Sequence, residues 1–189
     1  MRRLLAVLAL GALTQSALAG WQLDNNASRL SFVTIKAGDV AEVHHFSELS
    51  GSVADTGEAR VSVALASVDT LIPIRDERMR EMLFKTEMFP TAEVSARLDP
   101  DWLANLHSGR VDTELMLEMA GKSVPFTTTL FVSRLANGAV QVSTSQPLIA
   151  NAAVLGLTEG VEQLREVAGL PSISKAVPVS FVLTFQPAE

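Results

Sequence analysis

The chain of 189 residues has no cysteine and no tyrosine. Without cysteine there are no disulfides, thiol nucleophiles, zinc–thiolate sites or iron–sulfur ligation. Aromatic residues are scarce, and Trp21 and Trp102 are the only rings with a polar handle apart from three histidines. An interior built from this chain therefore has few side chains that could hold a polar ligand. Positive charge is also short: 15 Lys and Arg stand against 21 Asp and Glu, a net charge of -6. That balance lacks the electrostatic footprint of a protein that binds nucleic acid or an anionic membrane. No Gly-x-Ser-x-Gly occurs, and the histidines have no triad partners in the pattern. Beyond the first nineteen residues no apolar run is long enough to span a bilayer.

Those nineteen residues carry the order of a cleavable secretory signal. Arg2 and Arg3 precede an apolar stretch from Leu4 to Leu13, and Ala17-Leu18-Ala19 offers small residues where a signal peptidase reads them. A spanning helix needs about 20 apolar residues, and Thr14, Gln15 and Ser16 interrupt this one. Residues 1–19 are thus expected to be removed after Ala19, leaving 20–189 as one domain in the periplasm. Loss of Arg2 and Arg3 takes the net charge from -6 to -8. An exported domain without disulfides must be held by its core, and 48% hydrophobic content makes one available.

The dominant period after the signal is two. From Arg110 to Met119, Val111, Thr113, Leu115, Leu117 and Met119 fall on one face and charged residues mostly on the other. The same alternation recurs at Val61-Val63-Leu65, at Ala92-Val94-Ala96-Leu98, at Val124-Phe126-Thr128-Leu130-Val132 and at Val177-Val179-Phe181-Leu183-Phe185. Leu30 to Lys36 and Ala139 to Thr144 are weaker, β-branched runs. Ala120-Gly121-Lys122-Ser123, Asn137-Gly138 and Asp55-Thr56-Gly57-Glu58 supply turns between them. About eight antiparallel strands imply an all-β closed barrel or a sandwich. Ile74 to Lys85, with Met79, Met82 and Leu83 on one face, and Gly160 to Ala168 read as short amphipathic helices able to cover a barrel opening.

Few residues carry candidate chemistry. His44 and His45 are adjacent on a strand, so they point to opposite faces and cannot share a metal; both read as satisfied or solvent-facing. Gly121-Lys122-Ser123 resembles the end of a phosphate loop, but Met116 stands where that loop needs glycine and a strand follows. Asn26-Ala27-Ser28 is a sequon with meaning only in a glycosylating pathway. Asp69, Asp76, Glu77 and Glu81 cluster in sequence, yet Asp76 and Arg80 lie four apart and are expected to pair on a helix surface. Arg75, Arg78 and Arg80 read as a solvated helix face. What remains is an apolar interior, sized to suit a hydrocarbon chain if hollow, or a solid core if filled.

The segment Phe46-Ser-Glu-Leu-Ser-Gly51-Ser-Val53 resembles the YceI-like family of exported, lipocalin-like barrels. So does Ala66-Ser67-Val68-Asp69-Thr70, followed by Arg75-Asp76, Met79-Arg80, Phe84, Phe89-Pro90 and Ala92-Glu93-Val94 in matching order. Leu115 to Gly121 and then Lys122-Ser123-Val124-Pro125 resemble its signature hairpin. The resemblance runs from about Trp21 to Phe185. It departs where Thr144 to Leu157 lacks arginine, where Leu155-Gly156-Leu157 replaces an aromatic–Gly pair, and where a helical insertion covers Glu159 to Ala168. It implies an antiparallel barrel, often homodimeric, enclosing a polyisoprenoid such as a quinone tail, with no other cofactor, no metal and no catalysis. The expected lining is Val63, Leu65, Val94, Leu115, Leu117, Met119, Phe126, Leu130, Val179 and Phe181, with Met79, Met82 and Phe84 over the mouth. Two rival readings predict different interiors. A structural subunit assisting a membrane redox or stress-response system needs no continuous cavity. A carboxylate enzyme needs a pocket beside Asp69, Asp76 or Glu77.

Overall fold

A computed structural model describes residues 19–188. The expected signal, Met1 to Ala19, lies outside the described residues except for Ala19 itself. The strands are β1 (Ala19–Leu23), β2 (Arg29–Lys36), β3 (Val40–Phe46), β4 (Leu49–Ala54), β5 (Glu58–Ala64), β6 (Val68–Asp69), β7 (Thr91–Arg97), β8 (Gly109–Met119), β9 (Lys122–Arg134), β10 (Val140–Thr144), β11 (Leu148–Asn151) and β12 (Ala176–Pro187). The helices are α1 (Pro73–Arg78), continued by a π-helical turn over Met79–Phe84, then α2 (Pro100–Ala104) and α3 (Thr158–Val167).

Several neighbours in this series act as one broken strand. β1 and β2 both pair with β12, β1 also with β4, and β2 with β3. β10 and β11 share the other edge of β12. The ring runs β12, β1/β2, β3/β4, β5, β7, β8, β9, β10/β11 and back to β12. The fold is therefore a closed antiparallel barrel of eight strands, and the sandwich alternative falls. Closure removes every exposed long edge.

The hairpins form where the turn chemistry places them. Met119 pairs with Lys122, so Ala120 and Gly121 alone make the β8–β9 turn, both with positive φ (50° and 73°). That is the mirror-image turn whose twist matches the flanking strands. In β8, β9 and β12 the alternating apolar residues face inward as their period requires. Val124 pairs with Leu117 and Phe126 with Leu115, which brings the two inner faces into register.

Three helices cover the ends. Pro73 opens α1, where a missing N–H costs nothing. The π-helical turn ends at Lys85 in a left-handed conformation (φ 51°), its N–H donating to the Arg80 carbonyl. α3 lies against this turn, and Gly160 permits the approach: a Cβ there would sit 2.6 Å from the Met82 carbonyl oxygen and 2.7 Å from Leu83 Cα. At the other end, Leu103 of α2 and Leu106 just after it are buried against Trp21 and Leu98. The sequence pattern did not announce α2.

Candidate functional site: the barrel lumen

The interior is hollow. A cavity of about 390 Å³ lies under α1, the π-helical turn and α3. A second chamber of about 130 Å³ lies toward α2. Leu30, Val63, Val94, Leu115 and Phe181 border both, so the two spaces meet at a belt midway along the barrel. The larger volume falls within the roughly 300–1,000 Å³ of ligand pockets.

Of the residues expected to line this space, Val63, Leu65, Met79, Phe84, Val94, Leu115, Leu117, Met119, Phe126, Val179 and Phe181 border the larger chamber. Leu130 borders the smaller one. Met82 borders neither, and Leu83 takes its place. The reason is the π-helical turn. A wider turn carries the residue four positions after Met79, rather than three, back to the same face.

Other lining residues lie outside the expected set. Val161 and Leu164 of α3 face the cavity, as do Leu155 and Leu157 before it. The departures from the family pattern thus form part of the wall. A Lys175–Glu162 ion pair at 2.9 Å ties α3 to the segment leading into β12, and an Arg165–Glu162 pair at 2.7 Å within the helix holds the same carboxylate. Phe32 and Phe46 were also missed. Phe84, Phe46, Phe32 and His44 form a chain of rings with successive centroid separations of 5.7, 5.3 and 5.4 Å.

The polarity of the lumen changes along β2 and β3. Their inward residues pair as Leu30 with Phe46, Phe32 with His44, and Thr34 with Glu42, with Lys36 beyond. The series passes from apolar to charged in three steps. His44 is only 3% exposed, and its Nε2 lies 2.9 Å from Thr34 Oγ1. Its other ring nitrogen has no partner among the described residues. Burial, with the Arg75 charge behind it, holds the His44 pKa below its ordinary value. Glu42 accepts from Lys36 at 2.6 Å and Arg75 at 2.7 Å. The hydrogen bond from Lys36, helped by Arg75 and opposed by partial burial, holds the Glu42 carboxyl below its ordinary pKa.

Three sequence expectations are corrected here. His44 is neither solvent-facing nor fully satisfied; it is buried at the cavity wall, while His45 points outward toward Asp69 at 3.5 Å. Asp76 does not pair with Arg80 on the surface. It is 8% exposed and accepts from the Thr70 N–H (2.9 Å) and hydroxyl (2.5 Å), pinning the loop before α1. Arg80 instead donates to the Asp76 backbone carbonyl. Arg75 and Arg78 do not form a solvated face but border the cavity, because α1 lies across its mouth. None of Asp69, Asp76, Glu77 and Glu81 borders either chamber.

A closed eight-stranded barrel with an apolar lumen and a polar mouth defines a class of ligand-enclosing barrels. The chain belongs to the YceI-like family: residues 21–185 match the YceI-like domain, as the motifs implied. It is similar to a polyisoprenoid binding domain from Saccharophagus degradans implicated in plant cell wall breakdown, with 37% identity over 89% of this chain and 99% of that one, and a TM-score of 0.87. Burkholderia cenocepacia BcnA shares the fold at 17% identity and a TM-score of 0.68, covering 86% of this chain and 98% of its own. A Campylobacter jejuni YCEI protein shares it at 14% identity and a TM-score of 0.52, over 77% and 84% of the two chains. No curated protein matches the chain significantly. Among the described residues no helix is long and apolar enough to cross a membrane.

Proposed function

We propose that this protein is an exported carrier that sequesters a polyisoprenoid or similar long-chain lipid, such as a quinone tail, inside its barrel. The observation that carries the reading is the 390 Å³ cavity with an almost wholly apolar wall. An apolar space of that size left without an occupant costs stability. A solid structural subunit has no use for such a space. A hydrocarbon chain would gain roughly 0.8 kcal/mol per buried methylene, offset in part by the ordering of the chain. Likeness to the Saccharophagus degradans domain supports an isoprenoid over a straight chain. The signal pattern of residues 1–19 and the excess of acidic residues support work in the periplasm, where a water-insoluble chain needs a carrier.

The test is to purify the protein from an exporting host, extract it with organic solvent and analyse the extract by mass spectrometry. A stoichiometric isoprenoid lipid is expected; its absence, with no uptake of added lipid, would refute the carrier. Leu117→Arg checks the inner-face register. Leu117 borders the large cavity opposite Val94 and Val124. An arginine there places an unpaired charge in the lumen, and lipid retention is expected to fall below detection. Full retention by the folded variant would show that the chain lies elsewhere.

A further inference from the structure

Two separate costs fall on one residue beside the mouth. Leu71 is 84% exposed, the most exposed large apolar side chain among the described residues. Its backbone is left-handed, with φ 61°. That conformation suits glycine or asparagine and strains a leucine. Packing offsets neither cost. Polar contacts hold the segment instead. The Leu71 N–H donates to Asp69 Oδ1 at 2.8 Å, the Thr70 N–H donates to Asp76 Oδ1 at 2.9 Å, and the Thr70 carbonyl accepts from Arg75 at 2.7 Å. A leucine is thus fixed on a braced loop with its side chain in solvent. A strained residue that its surroundings hold in place is a reason to look for function.

Leu71 does not stand alone. Ile72 and Ile74 follow it, both exposed, and both border the large cavity. On the α3 side Val167 is also exposed and borders the same cavity. An apolar rim therefore meets water where the cavity opens, and such contiguous patches mark interaction sites. The charged residues that border the cavity are three cations, Lys36, Arg75 and Arg78, and one carboxylate, Glu42. Lys36 and Arg75 both pair with Glu42, which leaves Arg78 without an ion pair among the described residues. Asp69 and Glu77 lie close by in the chain but do not border the cavity.

We infer that this rim docks on the surface of a phospholipid bilayer, with Leu71 as the tip that enters the boundary between headgroups and acyl chains. Binding of this kind scales with the apolar area buried. It needs no long-range positive field, which a chain of net charge -6 lacks. Two observations favour a bilayer over a protein occupant. The rim is continuous with the cavity, so a second copy or another protein seated on it would cover the opening, whereas a bilayer is the phase in which a water-insoluble ligand dissolves. The excess of cations at the opening also matches the phosphates of a bilayer surface at short range. The purpose of docking rests on the carrier reading above; the surface is defined without it.

The chain has no cysteine, so a single introduced cysteine reports without background. Leu71→Cys is compared with Leu135→Cys, an exposed position just past the end of β9 that borders the smaller chamber. Each full-length chain is expressed in an exporting host, purified and labelled with a polarity-sensitive nitrobenzoxadiazole dye. Vesicles of phosphatidylcholine, with and without phosphatidylglycerol, are then added. The dye at position 71 is expected to shift to the blue and to be quenched by brominated acyl chains, while the dye at 135 stays unchanged. Leu71→Asn removes the apolar tip and tolerates the left-handed backbone. Its co-sedimentation with vesicles, and its rate of geranylgeraniol uptake from them, are expected to fall about tenfold, as loss of one buried leucine implies. The amount of geranylgeraniol held at equilibrium should not change, because Leu71 does not border the cavity. No shift at position 71 with either vesicle would overturn the docking surface, and so would equal shifts at 71 and 135. A shift at 71 that grows with protein concentration in the absence of vesicles would overturn the bilayer in favour of a second copy of the chain. Docking without geranylgeraniol uptake would uphold the surface and count against the carrier.

Discussion

The two ends of the barrel are built from the same alternating strands but differ in what covers them. The far end holds the 130 Å³ chamber, and its inward residues are nearly all apolar: Trp21, Val53, Leu98, Trp102, Leu103 and Phe185 among them. Two of its neighbours, Leu103 and Leu106, are buried without belonging to any barrel strand. The mouth holds the 390 Å³ cavity and is covered by a π-helical turn, a ten-residue helix and a set of charged groups. One end is close to an ordinary core. The other keeps open volume and buries unmatched polar atoms, both of which lower stability. Features that cost stability and sit together mark the functional end of a fold.

The largest expected effect breaks the cover of the mouth. In Gly160→Val the new side chain meets backbone atoms of Met82 and Leu83, which cannot rotate away as a side chain could. α3 must then lift from the π-helical turn. A loss of about 1–3 kcal/mol is expected, the range for overpacking, measured by urea unfolding. Bound lipid should also leave faster, because Val161 and Leu164 leave the cavity wall with the helix. Unchanged stability and release would show that α3 is no lid.

A smaller change at the far end sharpens the contrast. Ala96 borders the second chamber, and Ala96→Phe would fill much of it. Stability is expected to stay within about 1.5 kcal/mol of the parent, since the ring enters existing space. The longest isoprenoid retained should shorten, while chains that reach only the belt bind as before. A series of polyprenols of increasing length reads this out. An unaltered length profile would mean that the chain never passes Val63, Val94 and Leu115.

The barrel was legible in the sequence because its signal is local. A period of two, repeated in strand after strand and joined by Ala120-Gly121 and Asn137-Gly138, leaves little freedom over which face turns inward. Most of the wall followed from that register. Met82 failed because a π-helical turn shifts the phase of a helix without leaving a mark in the hydrophobic pattern. His44 was misplaced, and Thr34 and Glu42 were not singled out, for another reason. Their alternation with Val33, Val43 and His45 was present, but polar residues on an inward face carry no hydrophobic period that marks them as lumen. The ordered series Leu30, Phe32, Thr34, Lys36, set against Phe46, His44, Glu42, was the signal that could have found the mouth. Asp76 was misplaced because its partner, Thr70, lies outside the helix.

The smallest effect tests whether the mouth is built around a neutral imidazole. The folded pKa of His44 lies below the ordinary 6.5, chiefly because burial disfavours its charged form. Below pH 6.5 the unfolded chain therefore takes up a proton that the folded chain does not, so stability falls with pH until the folded pKa is also passed. Above 6.5 the contribution is complete and the curve is flat in this group. Glu42 acts lower: its folded pKa is depressed from 4.5, so its contribution is present above 4.5 and is lost as pH falls through the folded value. The slope from His44 alone cannot exceed about 1.4 kcal/mol per pH unit, one proton's worth. Unfolding free energies between pH 7.5 and 5 should show this decline in the parent and a flatter line in His44→Gln. Among the described residues, the wall of the far end carries no histidine and no carboxylate. A decline that survives in His44→Gln would therefore have to come from outside the lumen, and the mouth would lose its claim to be the pH-sensitive end.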